Sequence, residues 1–436
     1  MPIHDDWPAP LYELMQQGKK RIPRPELMRQ RTLRFLELLK HPEKNLWCIH
    51  VTGTNAKGSV ATLLATSLES SGKKIGLFVS PHLMYVSERI RIQGENISLE
   101  LLQQLSEQTL PIVQQLETEG LVPSFFETIL MIALLAFKKE NVSFAVLEVG
   151  VGGYRDATTC LPSILGVLTT VHWDHMKELG PTLTDIATDK IGVGDASKKL
   201  VIGPSLAGEA LETIHRECAL RKIQVYPSRQ WLDRFTWTAT HPASGQEGTL
   251  LPEQISFHLP FWGVHQRENV AILCECLKLL ETAYGLKISE ALPAIRKASL
   301  PGRLQWVPGT PPWFLDIAHN LEAITNLGKV LNQWVPYEKR KLIFGVSRDK
   351  SYDLFLENVA QLAPEIVLVA AAHRGEEPAI LAQKLKPWAK KLHVASDIEQ
   401  GLQTLTQIQG AELGIATGSV FLVGEVLYWL KEKGFA

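Results

Sequence analysis

The sequence predicts an α/β fold: a large amino-terminal domain on a mostly parallel sheet flanked by helices, followed by a smaller α/β domain. Three observations predict it. At 436 residues the chain exceeds the size at which one hydrophobic core usually stops growing, so two domains are expected. Short β-branched or apolar runs alternate with longer stretches of helical period, and strands joined by helix-length crossovers pair in parallel. After two helical stretches comes L-P-G-R-L-Q-W-V (300–307), whose proline and glycine mark a joint, and beyond it the alternation restarts.

In chain order, the first strand is Trp47 to Thr52, followed by a helix from Ser59 to Ser70 and a strand from Lys74 to Val79. Helices follow at 99–119 and 125–140, the first with leucines at a spacing that packs them against the sheet, then strands at Phe144 to Val149 and Leu165 to Val171. From about 223 to 262, turn-rich aromatic segments such as R-F-T-W-T-A-T and Q-I-S-F-H-L predict antiparallel hairpins or an edge extension. Helices are expected from Gln266 to about Tyr284 and from Ser289 to Ala298. In the second domain, strands at Trp313 to Ile317, Leu342 to Val346, Ile366 to Val369 and Leu392 to Ala395 alternate with helices, the first from about Leu321, and Ser419 to Lys433 closes the chain.

Composition narrows the function. Apolar residues at 45% and charged residues at 21% describe an ordinary globular protein, and 45 basic against 46 acidic residues leave no net field for nucleic acid or an anionic membrane. The aromatics of 231–262 have no basic stripe among them and read as core rather than as a base-stacking platform. The opening M-P-I-H-D-D-W-P-A-P lacks a signal-peptide pattern, and the most apolar stretch, Ile129 to Phe137, is far short of a bilayer span; a cytoplasmic enzyme is expected. Five scattered cysteines fit a reduced compartment, and Cys274 and Cys276, two apart on a helix, face different directions and make a poor metal pair.

The chemistry concentrates behind the first strand, in V-T-G-T-N-A-K-G-S (51–59). A strand running through such a loop into a helix is the setting of a phosphate cradle, because backbone N–H groups at a helix amino terminus and the helix dipole favour an anion. Thr54, Asn55, Lys57, Gly58 and Ser59 are the candidate nucleotide residues, with Lys57 placed to neutralise phosphate and Ser59 to offer an oxygen to magnesium. The lysine precedes the second glycine, unlike the common G-x-x-x-x-G-K-[ST] order, so a plain N-capping turn stays open. Ala56 is cheap only if the loop has an ordinary backbone there, since alanine tolerates positive φ poorly. Two more strand ends carry Glu148, and Asp174 with His175; in an open α/β sheet ligands gather at the carboxyl ends of strands, so Lys57, Glu148 and His175 are expected in one crevice.

Taken in order, H-V-T-G-T-N-A-K-G-S-V (50–60), S-P-H-L (80–83), L-E-V-G-V-G-G-Y-R-D-A-T (147–158), D-K-I-G-V (189–193), H-Q-R-E-N (265–269), P-G-R-L (301–304), D-I-A-H-N (316–320), F-G-V-S-R-D-K (344–350) and T-G-S-V-F-L-V-G-E-V (417–426) resemble the folylpolyglutamate synthase and dihydrofolate synthase family of the Mur-ligase superfamily. The resemblance implies a P-loop-type ATP-binding domain over 1–299, a Rossmann-like glutamate-ligase domain over 300–436, and chemistry in the cleft between them. It implies a monomer whose substrates are ATP, L-glutamate and dihydropteroate or a reduced folate. ATP would phosphorylate a carboxylate, and the amine of glutamate would attack the acyl phosphate. Another Mur-type amide ligase and a non-catalytic nucleotide-binding relative are the alternatives.

Carried over by residue, the resemblance makes Lys57 the γ-phosphate lysine and Ser59 a phosphate or Mg2+ ligand. Ser80, Glu148 and His175 become ligands of a second Mg2+, and Lys190 a lysine carbamylated into an anionic oxygen ligand. It makes Asn269, Arg303 and Asp316 ATP contacts, and places His319 and Asn320 where the second domain closes the cleft, His319 being catalytic with Lys57 and Lys190. Beside these stand plainer readings: Lys190 as a surface salt-bridge former, Arg303 as a hinge residue, His82 and His373 as satisfied surface histidines. The chain departs from the family's usual glycine at Ala56 and His172, its asparagine at Thr159, its K-A-G-I at 190–193 and its arginine position at Tyr154–Arg155, and none of these removes an implied ligand.

Overall fold

In the computed structural model the described residues are 8, 11–12, 25–239, 241–348, 350–371 and 374–435. The opening decapeptide apart from Pro8, His373 and Asp349 lie outside them. The apolar runs of the amino-terminal part form eight strands: β1 (Trp47–Thr52), β2 (Ile75–Phe78), β3 (Ile90–Ile92), β4 (Glu95–Asn96), β5 (Phe144–Glu148), β6 (Leu165–Leu168), β7 (Lys199–Ile202) and β8 (Gln224–Pro227). They pair in the order β4-β3-β2-β5-β1-β6-β7-β8, parallel from β2 to β8, with β3 and β4 turned antiparallel at one edge. The central strands β5 and β6 are buried along their whole length, which continuous apolar sequence permits when helices cover both faces.

The helix Lys57–Leu68 shows how the sequence sets this packing. Its glycine, serines, alanines and threonines are small, so it lies buried from Gly58 to Leu68 between the sheet and the helices Gln266–Tyr284 and Ile288–Ala294. On the other face, the helices Met28–Leu38, Leu99–Thr118 and Phe125–Lys139 contribute to a second apolar cluster. Ser124 and Glu127 form a capping box at the start of Phe125–Lys139, and Glu127 also accepts a 2.8 Å hydrogen bond from the buried Arg31 Nε. That charge pair fastens the helix Met28–Leu38 to the helix Phe125–Lys139.

The aromatic segment expected as hairpins is a separate antiparallel sheet of β9 (Phe235–Ala239), β10 (Gln246–Leu250) and β11 (Ile255–Leu259), and β8 before it extends the main sheet. Phe235, Trp237 and Phe257 stack edge to face or tilted within it, as core. Beyond the joint come β12 (Gln305–Val307), β13 (Trp313–Leu315), β14 (Arg340–Phe344), β15 (Glu365–Leu368), β16 (Lys391–Val394) and β17 (Leu413–Thr417). Their order is β12-β13-β17-β14-β15-β16, parallel except for β12. The loops that follow β1, β2, β5 and β6 in the first sheet and β13, β14, β15 and β17 in the second supply most of the lining of one cavity of about 280 Å3. Among the described residues no helix is long and apolar enough to cross a membrane.

Candidate functional site

Between β1 and the helix Lys57–Leu68, the loop is held by the strand end beside it. Thr54 N–H donates to the Thr170 carbonyl at 2.9 Å, Asn55 N–H to Thr170 Oγ1 at 3.0 Å, and Thr169 Oγ1 to the Asn55 carbonyl at 2.6 Å. These bonds use up the N–H groups of Thr54 and Asn55. The first N–H bond back into the helix is Val60 to Ala56, so the amides of Lys57, Gly58 and Ser59 have no partner inside the helix and form its anion-attracting end. Lys57 Nζ folds back onto the carbonyls of Gly53 (2.9 Å) and Thr54 (3.2 Å), and burial pushes its pKa down.

Ala56 overturns the condition on which its methyl was cheap: it sits at φ +66°, ψ −1°, in the left-handed region. A Cβ there costs roughly 1–2 kcal/mol, of which glycine's greater freedom in the unfolded chain cancels part. Ala56→Gly is therefore expected to stabilise the fold by about 0.5–1 kcal/mol, read as a higher urea midpoint at unchanged slope.

Glu148 ends β5 directly under this loop. Its Oε2 accepts the Ser80 N–H at 2.9 Å, and a Cβ on Gly58 would lie 3.3 Å from the same oxygen, so glycine is what lets the carboxylate approach the helix end. Burial raises the Glu148 pKa, against the opposing pull of Lys57, the Ser80 amide, Arg303 and Arg89. Among the described residues no hydrogen bond reaches Glu148 Oε1. Asp174 and His175 border the same cavity; burial pushes the Asp174 carboxyl up, but His175, Lys350, His319 and Lys57 together outweigh it and hold it at about 2. No trio of His, Cys, Asp or Glu among the described residues forms a closed metal cage. A carboxylate with a spare oxygen, flanked by Ser80 and His175, instead suits a hard cation that keeps waters and phosphate oxygens as its other ligands.

Lys190 is not at the surface. It is 4% exposed at the end of the helix Leu183–Lys190, with no hydrogen bond or ion pair from its ammonium among the described residues, which overturns the salt-bridge reading. Burial, with Lys57 adding repulsion, lowers its pKa to about 7. Gly153 packs against the backbone here: a Cβ on it would come within 2.5 Å of the Lys190 carbonyl, and its N–H donates to Asp189 Oδ1 at 2.7 Å.

The second sheet supplies the opposite wall. Arg303, His319, Ser347, Lys350, Arg374 and Ser419 line it. His319 Nδ1 lies 2.8 Å from the Ile317 carbonyl, which can only accept, so the proton sits on Nδ1 and Nε2 is an acceptor. Burial lowers its pKa to about 4, keeping it neutral at pH 7. Lys350 Nζ reaches across to Asp174 Oδ1 at 3.3 Å. Ser419, 3% exposed, precedes the helix Val420–Glu432, and its hydroxyl has no hydrogen-bond partner among the described residues.

Of the expected residues, Thr54, Asn55, Lys57, Ser80, Glu148, His175, Arg303 and His319 line the cavity together. Gly58 borders a smaller adjoining space with Ser80, Glu148 and Arg303. Ser59 and Lys190 lie behind the lining, and Asn269 and Asp316 are occupied elsewhere. Asn269 donates to Gln266 Oε1 at 2.8 Å in the first turn of its helix, while Asp316 accepts from Leu304 N (2.8 Å) and Ala318 N (2.9 Å), shaping the turn that presents Arg303. His82 is buried and accepts from Arg89 Nε at 2.9 Å, so it is no surface histidine. Sequence reasoning gave no role to Lys350, Arg374 or Ser419, although Lys350 and Ser419 fall inside the F-G-V-S-R-D-K and T-G-S-V motifs.

A family model described as the glutamate ligase domain of Mur ligases matches residues 302–420. The chain is 30% identical over 416 residues to a dihydrofolate synthase/folylpolyglutamate synthase of Bacillus subtilis, covering 92% of this chain and 94% of that one. It is 29% identical over 354 residues to a probable bifunctional folylpolyglutamate synthase/dihydropteroate synthase of Haloferax volcanii, 80% of this chain but 42% of that longer protein. The fold is like that of Mycobacterium tuberculosis folylpolyglutamate synthase complexed with ADP, with a TM-score of 0.85 at 24% identity over 96% of this chain and 98% of the other. A bifunctional folylpolyglutamate synthase/dihydrofolate synthase with Mn, AMPPNP and L-glutamate bound gives a TM-score of 0.76 at 25% identity over 97% of this chain and 98% of the other.

Proposed function

Because the chain belongs to the dihydrofolate synthase/folylpolyglutamate synthase family, we propose that its cleft joins L-glutamate to the carboxylate of dihydropteroate, of a reduced folate, or of both, with ATP as the activating substrate. One observation carries this reading: Lys57, Glu148 and Arg303 share a cavity with His319, Lys350 and Ser419, between the carboxyl edges of two mostly parallel sheets. Residues 1–299 act as the ATP-binding domain and 300–436 as the glutamate-ligase domain, a division supported by two sheets that exchange no strand.

A carboxylate resists attack by an amine until one of its oxygens becomes a phosphate leaving group, and that phosphoryl transfer needs charge neutralisation more than covalent help. The amides of Lys57, Gly58 and Ser59 hold the phosphates, Lys57 turns from the loop carbonyls to the γ-phosphate, and Arg303 offers its planar fork. Thr54 and Asn55 hold the loop in shape, while Asp316 and Asn269 frame the nucleotide's other end. Ser59, Ser80, Glu148, His175 and Lys190 are the residues that would hold two Mg2+ ions, which supply positive charge on the phosphate oxygens. Lys190 does so as a carbamate, which its depressed pKa favours because only the neutral amine captures CO2.

Glutamate takes the other side. Lys350, Arg374 and the Ser419 hydroxyl face its carboxylates, and His319 Nε2 accepts a hydrogen bond from the attacking amine. Ser419→Ala is expected to raise the KM for glutamate about tenfold with kcat within about twofold, since a lost hydrogen bond to a charged group costs about 1.5 kcal/mol or more. The cleft is complete within one chain, which supports a monomer, and five unpaired cysteines support the cytoplasm. The deciding assay is ATP-dependent incorporation of labelled glutamate, offered in parallel with dihydropteroate and with reduced folates. Phosphate release that requires both co-substrates is expected; nucleotide binding without such release would favour the non-catalytic reading.

A further inference from the structure

A polar ring joins the phosphate loop to the second domain. On the first-domain side, the backbone of His172 grips Thr54 twice: His172 N–H donates to Thr54 Oγ1 at 3.0 Å and its carbonyl lies 3.2 Å from the same hydroxyl. The imidazole of His172 then crosses the cleft, with Nε2 2.9 Å from Glu322 Oε2, in the first turn of the helix Leu321–Leu331. Glu322 Oε2 also accepts from Asn55 Nδ2, one residue beyond Thr54. Asn55 Oδ1 in turn accepts from Asn320 Nδ2 at 2.9 Å, and Asn320 Oδ1 caps the helix by accepting Ala323 N–H at 2.9 Å. The bonds run in one consistent direction. Asn320 can only donate through Nδ2, which fixes the Asn55 amide so that its own nitrogen points at Glu322, where the His172 ring N–H arrives as second donor.

Neither His172 nor Glu322 lines the central cavity, so neither is placed to touch substrate. Yet each holds a residue that lines it: His172 holds Thr54, and Glu322 holds Asn55. We propose that His172 and Glu322 are positioning residues, a latch across the cleft that sets the phosphate loop in its binding shape only while the second domain is docked. A loop preorganised in this way spares the nucleotide the ordering cost of binding, so the latch acts on affinity rather than on the chemical step. The two domains then report on each other: docking of the second domain tightens the phosphate cradle, and an occupied cradle favours the docked state.

The inference rests on the ATP site proposed above, and its test separates the two. Binding of AMPPNP in the presence of Mg2+ is measured by calorimetry on the full chain, together with kcat and the KM for ATP. The variants are His172→Ala, Glu322→Ala, the double variant and His172→Gln, with Lys57→Ala as control and thermal unfolding as a check on folding. His172→Ala and Glu322→Ala are each expected to weaken AMPPNP binding and raise the KM for ATP about fivefold, with kcat within about twofold, as befits a partly exposed charge-assisted pair. The double variant is expected to be no weaker than Glu322→Ala alone, because the His172 ring reaches the loop through Glu322, which also holds Asn55. His172→Gln, whose Nε2 amide can donate to the same carboxylate, is expected to recover binding to within about twofold. Unchanged affinity in His172→Ala while Lys57→Ala abolishes binding overturns the latch and leaves the ATP site standing. So do additive losses in the double variant, or a His172→Gln no better than alanine. Indifference of AMPPNP binding to Lys57→Ala removes the ATP site itself.

Discussion

Lys57→Met is expected to lower kcat/KM for ATP at least about a thousandfold while the protein stays folded. The ammonium is the cationic group of the loop itself, and it lies at the amino end of a helix whose free amides already favour an anion. Methionine keeps the apolar stem and so most of the packing, but it removes the charge and both hydrogen bonds to the Gly53 and Thr54 carbonyls. The neighbouring Glu148 also loses a positive partner that opposes its burial, so its carboxyl, already raised, rises further and holds a cation less well. Lys57→Arg is not expected to rescue, because a rigid planar fork does not fit a site built around a point charge folded against two carbonyls. Initial rates of phosphate release and a calorimetric unfolding scan check this together. A loss smaller than about tenfold in a folded variant would remove Lys57 from the chemistry.

The parts of this site that were legible in the sequence are those tied to strand ends. Lys57, Glu148 and His175 each follow an apolar run closely, and a parallel sheet delivers the carboxyl ends of its strands to one edge, so sequence order alone put them in one crevice. Less legible was β17, because L-G-I-A-T is short and carries a glycine; that glycine is required, since a Cβ on Gly414 would lie 2.7 Å from the Trp313 ring. The antiparallel edge of β3 and β4 escaped for the same reason, having only three and two residues. The conformation of Ala56 was not legible either. Its positive φ follows from the bonds that Thr169 and Thr170 make to its neighbours, more than a hundred positions away. Asp316 and Asn269 were named by motif alone: in this structure their side chains bond within the protein's own turns, and spacing does not distinguish such a bond from a ligand contact.

Lys190→Met is expected to separate activity from stability. Ligation should fall about a hundredfold, the size of effect found when a group that holds or tunes a metal is removed. The fold, by contrast, should gain. Burial, with Lys57 adding repulsion, lowers the Lys190 pKa from 10.5 to about 7, so between those values the unfolded chain binds a proton that the folded chain does not. Stability from this residue is therefore fully present above about pH 10.5 and is lost as pH falls toward 7. In CO2-depleted buffer the methionine variant should be more stable than the parent at pH 7, and the advantage should shrink as pH rises. A carbamate would reverse the logic for the parent protein, because capturing CO2 would replace the buried cation with an anion beside Lys57, where a Mg2+ ion would offset it. Parent activity lost in CO2-free buffer below pH 7 should return on adding bicarbonate, and 13C-labelled bicarbonate should give a carbamate resonance that is absent from the variant. Full activity in CO2-free buffer, with no such resonance, would leave Lys190 as a neutral buried amine whose role is only to fill space behind the phosphate loop.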